Sequence, residues 1–285
     1  MSESSADRAA IRVVQKTAAG RRGGAARDAA AIGPRAVDRA AAILLSFSFS
    51  QPSLTLAQLA QAARLPKPSA YRIVSSLVAN GLVRQAEDGR YEPGFRLFEL
   101  GAIVQSRLVL AQVAAGTVQT LAEETGETVL LTQVEWAQRE VVVVAKVDAV
   151  HPLGVLSPLG RRSTLAPGCM GKAALAGLPP EALAGVLADL PLPRHTERTI
   201  TTRRALKRDL VATRQRGYAL DEEEYFDGVS GVASWLYLGD PRPVGAVGVV
   251  GPTQRLPAAR LTQIGERVAA LARALSFERP ATAGA

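Results

Sequence analysis

The chain has a single cysteine, Cys169, among 285 residues. One thiol cannot close an intrachain disulfide, so a reducing compartment is expected. Only two histidines accompany it, His151 and His195, and these three residues do not make a common zinc set. No metal and no cofactor is therefore expected. No apolar run approaches the roughly 20 residues that a membrane helix needs. The N-terminus has no apolar stretch of the secretory kind. A soluble, cytoplasmic protein is the expectation.

What is present begins with charge. The net charge is +8, and it is unevenly placed. Up to Gly94 there are 13 Lys/Arg against 7 Asp/Glu, and beyond it 21 against 19. A basic excess gathered in the first third fits a polyanionic partner. The length favours two domains. Residues 1–33 are rich in Ala, Ser, Gly and Arg, with RRGGAAR at 21–27, and read as a disordered basic tail.

Residues 34–94 carry the clearest signals. A helix is expected from Pro34 to Phe49, with Val37, Ala40, Ala41, Leu44 and Leu45 on one face. Thr55 and Gln58 make a capping box for a second helix, with Leu54 and Leu59 as its hydrophobic staple. Leu65-Pro66 ends that helix. A third starts near Pro68 and buries Ala70, Ile73, Val74, Leu77 and Val78. Its other face shows Ser69, Arg72 and Ser76, with Tyr71 at the boundary. Donors and an aromatic on the first turns are what a helix needs to enter a major groove. Asn80-Gly81 stops it. Asp88-Gly89 then joins two short strands into a hairpin that carries Arg84 and Arg90. This is a helix-turn-helix with a wing. Ser69, Tyr71 and Arg72 are its candidate base readers, and Lys67, Arg84 and Arg90 its candidate phosphate contacts.

Residues 95–115 are expected to form one linker helix, with Leu97, Leu100, Val104, Leu108 and Ala111 at seam-like spacing. Winged modules of this kind bind repeated half-sites as dimers, so the linker is a candidate dimerisation element. From 116 to 280 the pattern mixes strands and helices with antiparallel hairpin signals, which makes this half α+β. A short strand is expected around Val155, a helix after Gly168, and a loop beginning at Asp221.

Several dispersed segments resemble one family. They are LPKPSAYR within Leu56–Arg72, GRYEPGFRLFELG at Gly89–Gly101, TGETV at Thr125–Val129, GKAALA at Gly171–Ala176, RGYALDEEE at Arg216–Glu224, and VGP at Val250–Pro252. In this order and spacing they resemble the IclR family of bacterial transcriptional regulators, over nearly all of the chain after Gly33. The resemblance implies a winged helix-turn-helix, a linker helix and a GAF-like effector-binding domain. It also implies homodimers or dimers of dimers on operator DNA, controlled by a small organic acid.

Carried over by position, the family's effector pocket falls on Ser163, Cys169, Met170, Asp221, Val229, Gly231, Gly248 and Val250. Where many members have Cys or Ser, this chain has Gly231, Gly248 and Val250. A roomier, more apolar pocket is expected, with Trp235 as a possible wall and an aromatic acid as its ligand. Asp221–Glu224 on its own reads as a solvated acidic run. Gly171-Lys172 lacks the glycine and hydroxyl of a phosphate loop. The alternative function is a GAF-like small-molecule enzyme or scaffold without DNA regulation. Cys169 with Lys172 could suggest a nucleophile and its activator, but no histidine lies close in sequence and a small buried thiol is the expected reading.

Overall fold

The computed structural model describes residues 35–151 and 154–276, so the expected tail at 1–33 lies outside the described residues. The chain divides between Arg107 and Leu108 into two compact units.

In the first unit, α1 (Arg35–Leu44), α2 (Leu56–Ala62) and α3 (Lys67–Ala79) precede the strands β1 (Val83–Gln85) and β2 (Tyr91–Pro93). Thr55 caps α2, and the reciprocal bond from its own N–H to Gln58 Oε1 is 2.8 Å, so the capping box is present. Ile43, Phe47, Leu54, Leu59, Val74, Leu77, Val83 and Tyr91 form one core. The expected face of α1 is rotated: Ile43 and Phe47 are buried, while Val37 and Leu45 are exposed. The reason is that α1 ends at Leu44, where the Ser46 hydroxyl donates to Ile43 O, and Phe47 then turns inward.

The wing turns through Glu87-Asp88-Gly89, with Gly89 at positive φ and Asp88 Oδ1 accepting the Arg90 N–H. That is a three-residue hairpin loop with glycine in its left-handed position. Leu54 pairs with Tyr91 on both sides, at 2.9 and 2.7 Å, and adds a third short segment to the wing. Gly81 and Gly94 meet where α3 leads into the hairpin. A Cβ on Gly94 would lie 2.1 Å from Gly81 O, so only glycine fits there.

The helix expected to run unbroken through residues 95–115 is two helices, α4 (Phe95–Ser106) and α5 (Val109–Thr125). Neither proline nor glycine marks the break at Arg107-Leu108. No residue of α4 is buried, although it carries Phe95, Phe98, Leu100, Ile103 and Val104.

In the second unit six strands form one antiparallel sheet, in the order β5-β4-β3-β8-β7-β6. The strands are β3 (Thr128–Glu135), β4 (Glu140–Val147), β5 (Arg162–Thr164), β6 (Ala219–Glu222), β7 (Val229–Leu236) and β8 (Gly245–Pro252). The alternation of side chains sends them to two cores. Val129, Leu131, Val232, Val247 and Val249 pack under α5 and the closing helix α9 (Ala258–Leu275). Leu130, Val141, Val143, Ala233, Ala246 and Val250 pack under α6 (Cys169–Gly177). Beside α6 lie α7 (Pro180–Ala188) and α8 (Arg203–Arg216).

The strand expected around Val155 stands instead at Arg162–Thr164, the edge of the sheet. Asp221 and Glu222, expected to open a loop, close β6 opposite Gly231 and Ser230. Pairing with β7 holds them extended, which overrides the turn-like composition of an acidic run.

Candidate functional site

Two sites stand out, one on each unit. On the first, α3 buries Ala70, Val74 and Leu77 and leaves Lys67, Tyr71, Arg72 and Ser76 exposed, with Ser69 half-buried. The side chains of Lys67, Ser69, Tyr71 and Arg72 bond no other described residue, so this face is chemically free. The wing arginines differ. Arg84 is exposed and ion-paired with Glu92. Arg90 is half-buried, and its guanidinium donates to Ser53 O at 2.9 Å and Ser53 Oγ at 3.2 Å. Those bonds anchor the wing to the segment before α2.

On the second unit the sheet gathers the expected pocket residues on the α6 side. Asp221, Gly231 and Val250 stand opposite one another across β6, β7 and β8. Gly248 pairs with Ala233 one step along, and Val229 opens β7. Ser163 lies further away, on edge strand β5 opposite Val141. Above this row runs α6, in which every residue from Cys169 to Ala176 is buried.

The expected roominess is not found. A Cβ on Gly231 would lie 2.8 Å from Val250 Cγ1 and 3.2 Å from Cys169 Sγ. One on Gly248 would lie 2.9 Å from Met170 Sδ. The two sulfur side chains of α6 therefore fill the volume left by the missing Cβ atoms. Trp235 does not line this end either. It packs against Gly177, eight residues along α6 and about 12 Å away by helical rise.

The charges beneath α6 form a connected group. Lys172 is fully buried, ion-paired with Glu224, and 3.1 Å from Asp209 Oδ2 on α8. Burial opposes its charge, but Glu224 and Asp209 outweigh burial and hold the ammonium above its ordinary value. Arg216 stands 3.8 Å from the other Asp209 oxygen. The acidic run is thus not a solvated face: Asp221 and Glu224 are buried, and only Glu222 is fully exposed.

Asp221 Oδ1 accepts the Glu224 N–H at 2.8 Å. Burial first, then the neighbouring Glu224 charge, pushes the Asp221 carboxyl up to about 7. Gly168, at φ 92, brings the start of α6 against it. A Cβ there would be 3.2 Å from Asp221 Oδ2 and 3.6 Å from the Tyr225 ring. Burial, reinforced by Asp221, pushes the Cys169 thiol well up, so it stays protonated and is no activated nucleophile.

A stability trend follows from Asp221. Unfolded, it releases its proton near pH 4; folded, near 7. Between those values the folded state binds more protons, so this group lowers stability as pH rises through the window. Urea unfolding from pH 4.5 to 8 is expected to show that decline, and Asp221→Asn to flatten it. An equally steep decline in the variant would count against the assignment.

Three loops close over the site. Tyr225 stacks on His195 at 4.7 Å and meets Phe226 edge-on at 4.7 Å. Arg161 lies 5.0 Å from the Phe226 ring centre. Thr199 Oγ1 donates to Glu224 O at 2.7 Å and ties the loop at 195–199 to the one at 223–228. Sequence reasoning weighed Lys172 only as an activator of Cys169 and Glu224 only as part of a solvated run, and missed Asp209 and Tyr225 altogether. The legible signal was a lone lysine inside CMGKAALAG, since a charge in a helix of small apolar residues needs a buried partner.

The first unit is a winged helix-turn-helix and the second an α+β domain with a buried polar site under a helix N-terminus, the make-up of a two-domain DNA-binding regulator. Residues 36–87 match the IclR helix-turn-helix domain, and residues 102–277 match the bacterial transcriptional regulator IclR C-terminal domain. The chain belongs to the IclR family of transcriptional regulators.

It is 32% identical over 221 residues to the transcriptional repressor IclR of Escherichia coli, covering 77% of this chain and 80% of that one. It is 33% identical over 260 residues to the regulator BhcR of Paracoccus denitrificans, covering 90% and 91%. The Thermotoga maritima IclR structure matches with a TM-score of 0.67 at 28% identity, over 84% of this chain and 96% of that one. An IclR homolog from Microbacterium hydrocarbonoxydans, solved with 4-hydroxybenzoate, shares the fold at a TM-score of 0.70 and 24% identity, over 84% and 98%. Among the described residues no single helix is long and apolar enough to cross a membrane.

Proposed function

We propose that this regulator reads operator DNA with Ser69, Tyr71 and Arg72 and is controlled by a small organic acid bound between the N-terminus of α6 and the Asp221–Gly231–Val250 row. The observation that carries the DNA reading is the face of α3. Arg72 is exposed, without a partner among the described residues, on the first turns of the helix, where base edges are met in such modules. Lys67 and Arg84 meet phosphates, Arg84 by exchanging Glu92 for the backbone. Arg90 acts from behind, by holding the wing in place.

For the effector, the supporting features are the N-terminus of α6 and a buried carboxyl against Gly168. Cys169, Met170, Val229, Gly248 and Val250 give the apolar wall, and Ser163 its outer edge. Met170 is unbranched and adaptable, and its displacement from above Gly248 opens room for a ring. An aromatic acid is the ligand this reading assigns to that space. The complex of the Microbacterium homolog with 4-hydroxybenzoate makes that compound a rational first probe. Selecting duplexes from a random pool with the purified protein, then adding aliphatic and aromatic acids, tests both halves.

The functional unit in this reading is a homodimer joined through α4. A helix with no buried residue and two exposed phenylalanines 5.2 Å apart leaves apolar surface that a second copy would cover. Phe98→Asp with Ile103→Asp is expected to shift sedimentation toward the monomer and to weaken operator binding at least tenfold, as the second half-site is lost. An unchanged sedimentation coefficient would rule out α4 as the seam.

A further inference from the structure

Three carboxylates, Asp209, Asp221 and Glu224, surround the first half of α6, and two cations answer them. Lys172 lies between Glu224 and Asp209, and Arg216 approaches only the far oxygen of Asp209. Among the described residues Asp221 forms no ion pair, although the Lys172 charge pulls its carboxyl down against burial. Its partners are backbone N–H groups, from Glu224 and Tyr225. Glu224 Oε2 is buried and has no hydrogen-bond partner among the described residues. This end of α6 therefore offers acceptors to a ligand.

A carboxylate placed there as a bare anion meets Asp221 and Glu224 at once. The helix terminus attracts it, but two ionised carboxyls at hydrogen-bond distance in a buried site repel more strongly than a helix end attracts. One proton removes the conflict, because it turns the repulsion into a short, charge-assisted O–H···O bond.

We propose that an acid effector enters this site together with one proton, held between its own carboxyl and that of Asp221. This rests on reading the site as an acid-effector site. The balance is simple: effector anion, Asp221 carboxylate and one solvent proton give one hydrogen-bonded pair, and no other bond changes. Affinity then falls as pH rises past the point where Asp221 loses its own proton, and levels off below it. Among the other groups around Asp221, Lys172 is held charged by its carboxylates and Cys169 is held as a thiol by burial. Glu224 is also pushed up, by burial against the pull of Lys172, and Glu224→Gln is expected to keep the slope. His195, on the other side of the Tyr225 ring, is pushed below its ordinary value by burial and then by Arg161.

Isothermal titration of the full chain decides the point, with 4-hydroxybenzoate, benzoate and acetate as probes, from pH 6 to 9 and in two buffers of different ionisation enthalpy. The expected result is Kd weakening about tenfold per pH unit between 7.5 and 9, with uptake of close to one proton at pH 8.5. Asp221→Asn is expected to bind with a flat pH profile, and His195→Gln to keep the slope. Benzamide, which has no acidic proton to lose, is expected to bind without proton uptake. A flat profile in the parent protein, a slope that survives Asp221→Asn, or one that vanishes in His195→Gln would overturn the proposal. Acid binding without proton uptake overturns it while leaving the effector site in place. No acid binding at any pH overturns the effector reading and this proposal with it. Should Asp221→Asn fail to fold, the two-buffer proton count on the parent protein still decides.

Discussion

Replacing Lys172 with methionine is expected to destabilise the second unit by about 3–5 kcal/mol. The residue is 1% exposed and holds Glu224 and Asp209. Without it, two partly or fully buried carboxylates lose their counter-ion, and removing one partner of a buried pair is far more harmful than removing both. For a domain of this size the loss corresponds to a fall in Tm of roughly 6–20 °C. Two checks separate this from simple loss of packing. The gap between variant and parent should narrow as pH falls, because burial favours the protonated form of a Glu224 that has lost Lys172. Adding Glu224→Gln to Lys172→Met should restore part of the loss. A change below about 1 kcal/mol, independent of pH, would mean that the pair contributes nothing.

The second large effect lies at the other end of the chain. Arg72→Ala is expected to weaken binding to the selected operator by about 1–3 kcal/mol, roughly 5- to 150-fold, with little effect on random DNA. Its side chain is exposed and has no partner among the described residues, so the protein should fold as before. Arg84→Ala should behave differently and weaken all sequences alike, with a shallower salt dependence, because a phosphate contact carries no base information. Arg90→Ala should act through stability, since it breaks two bonds to Ser53 that fix the wing. Equal, small losses for Arg72 and Arg84 at low salt would remove the distinction between reading and holding.

How much of this was legible in the sequence depended on how local the cause was. Thr55 with Gln58, Asn80-Gly81, and Asp88-Gly89 are short-range signals, and each produces the cap, stop or turn that its chemistry dictates. The strands at 128–135 and 140–147 are rich in β-branched residues, which suit a pleated, half-buried surface.

What failed was set by tertiary partners. The break after Ser106 has no breaker residue, and the buried face of α1 depends on where that helix ends. The acidic run read as solvated because nothing nearby in sequence is its partner. Lys172 stands 52 residues from Glu224, and only the sheet and α6 bring them together. The glycines at 231 and 248 were read as lost side chains, hence space. In the fold they are the seats of Cys169 and Met170, contributed by a helix some sixty residues or more away in the chain. Volume is a property of both sides of an interface, and the sequence displays one side at a time.

The central claim is that one protein joins sequence-specific DNA binding to an acid sensor. Retardation of a selected duplex, titrated with protein in the presence and absence of aromatic and aliphatic acids, tests it most directly. The account predicts a shifted band for one enriched motif, loss of that shift in Arg72→Ala, and a displacement of the binding curve by at least one acid, removed by substitution at Met170 or Asp221. Binding that enriches no motif, or a curve that no acid moves, would contradict it.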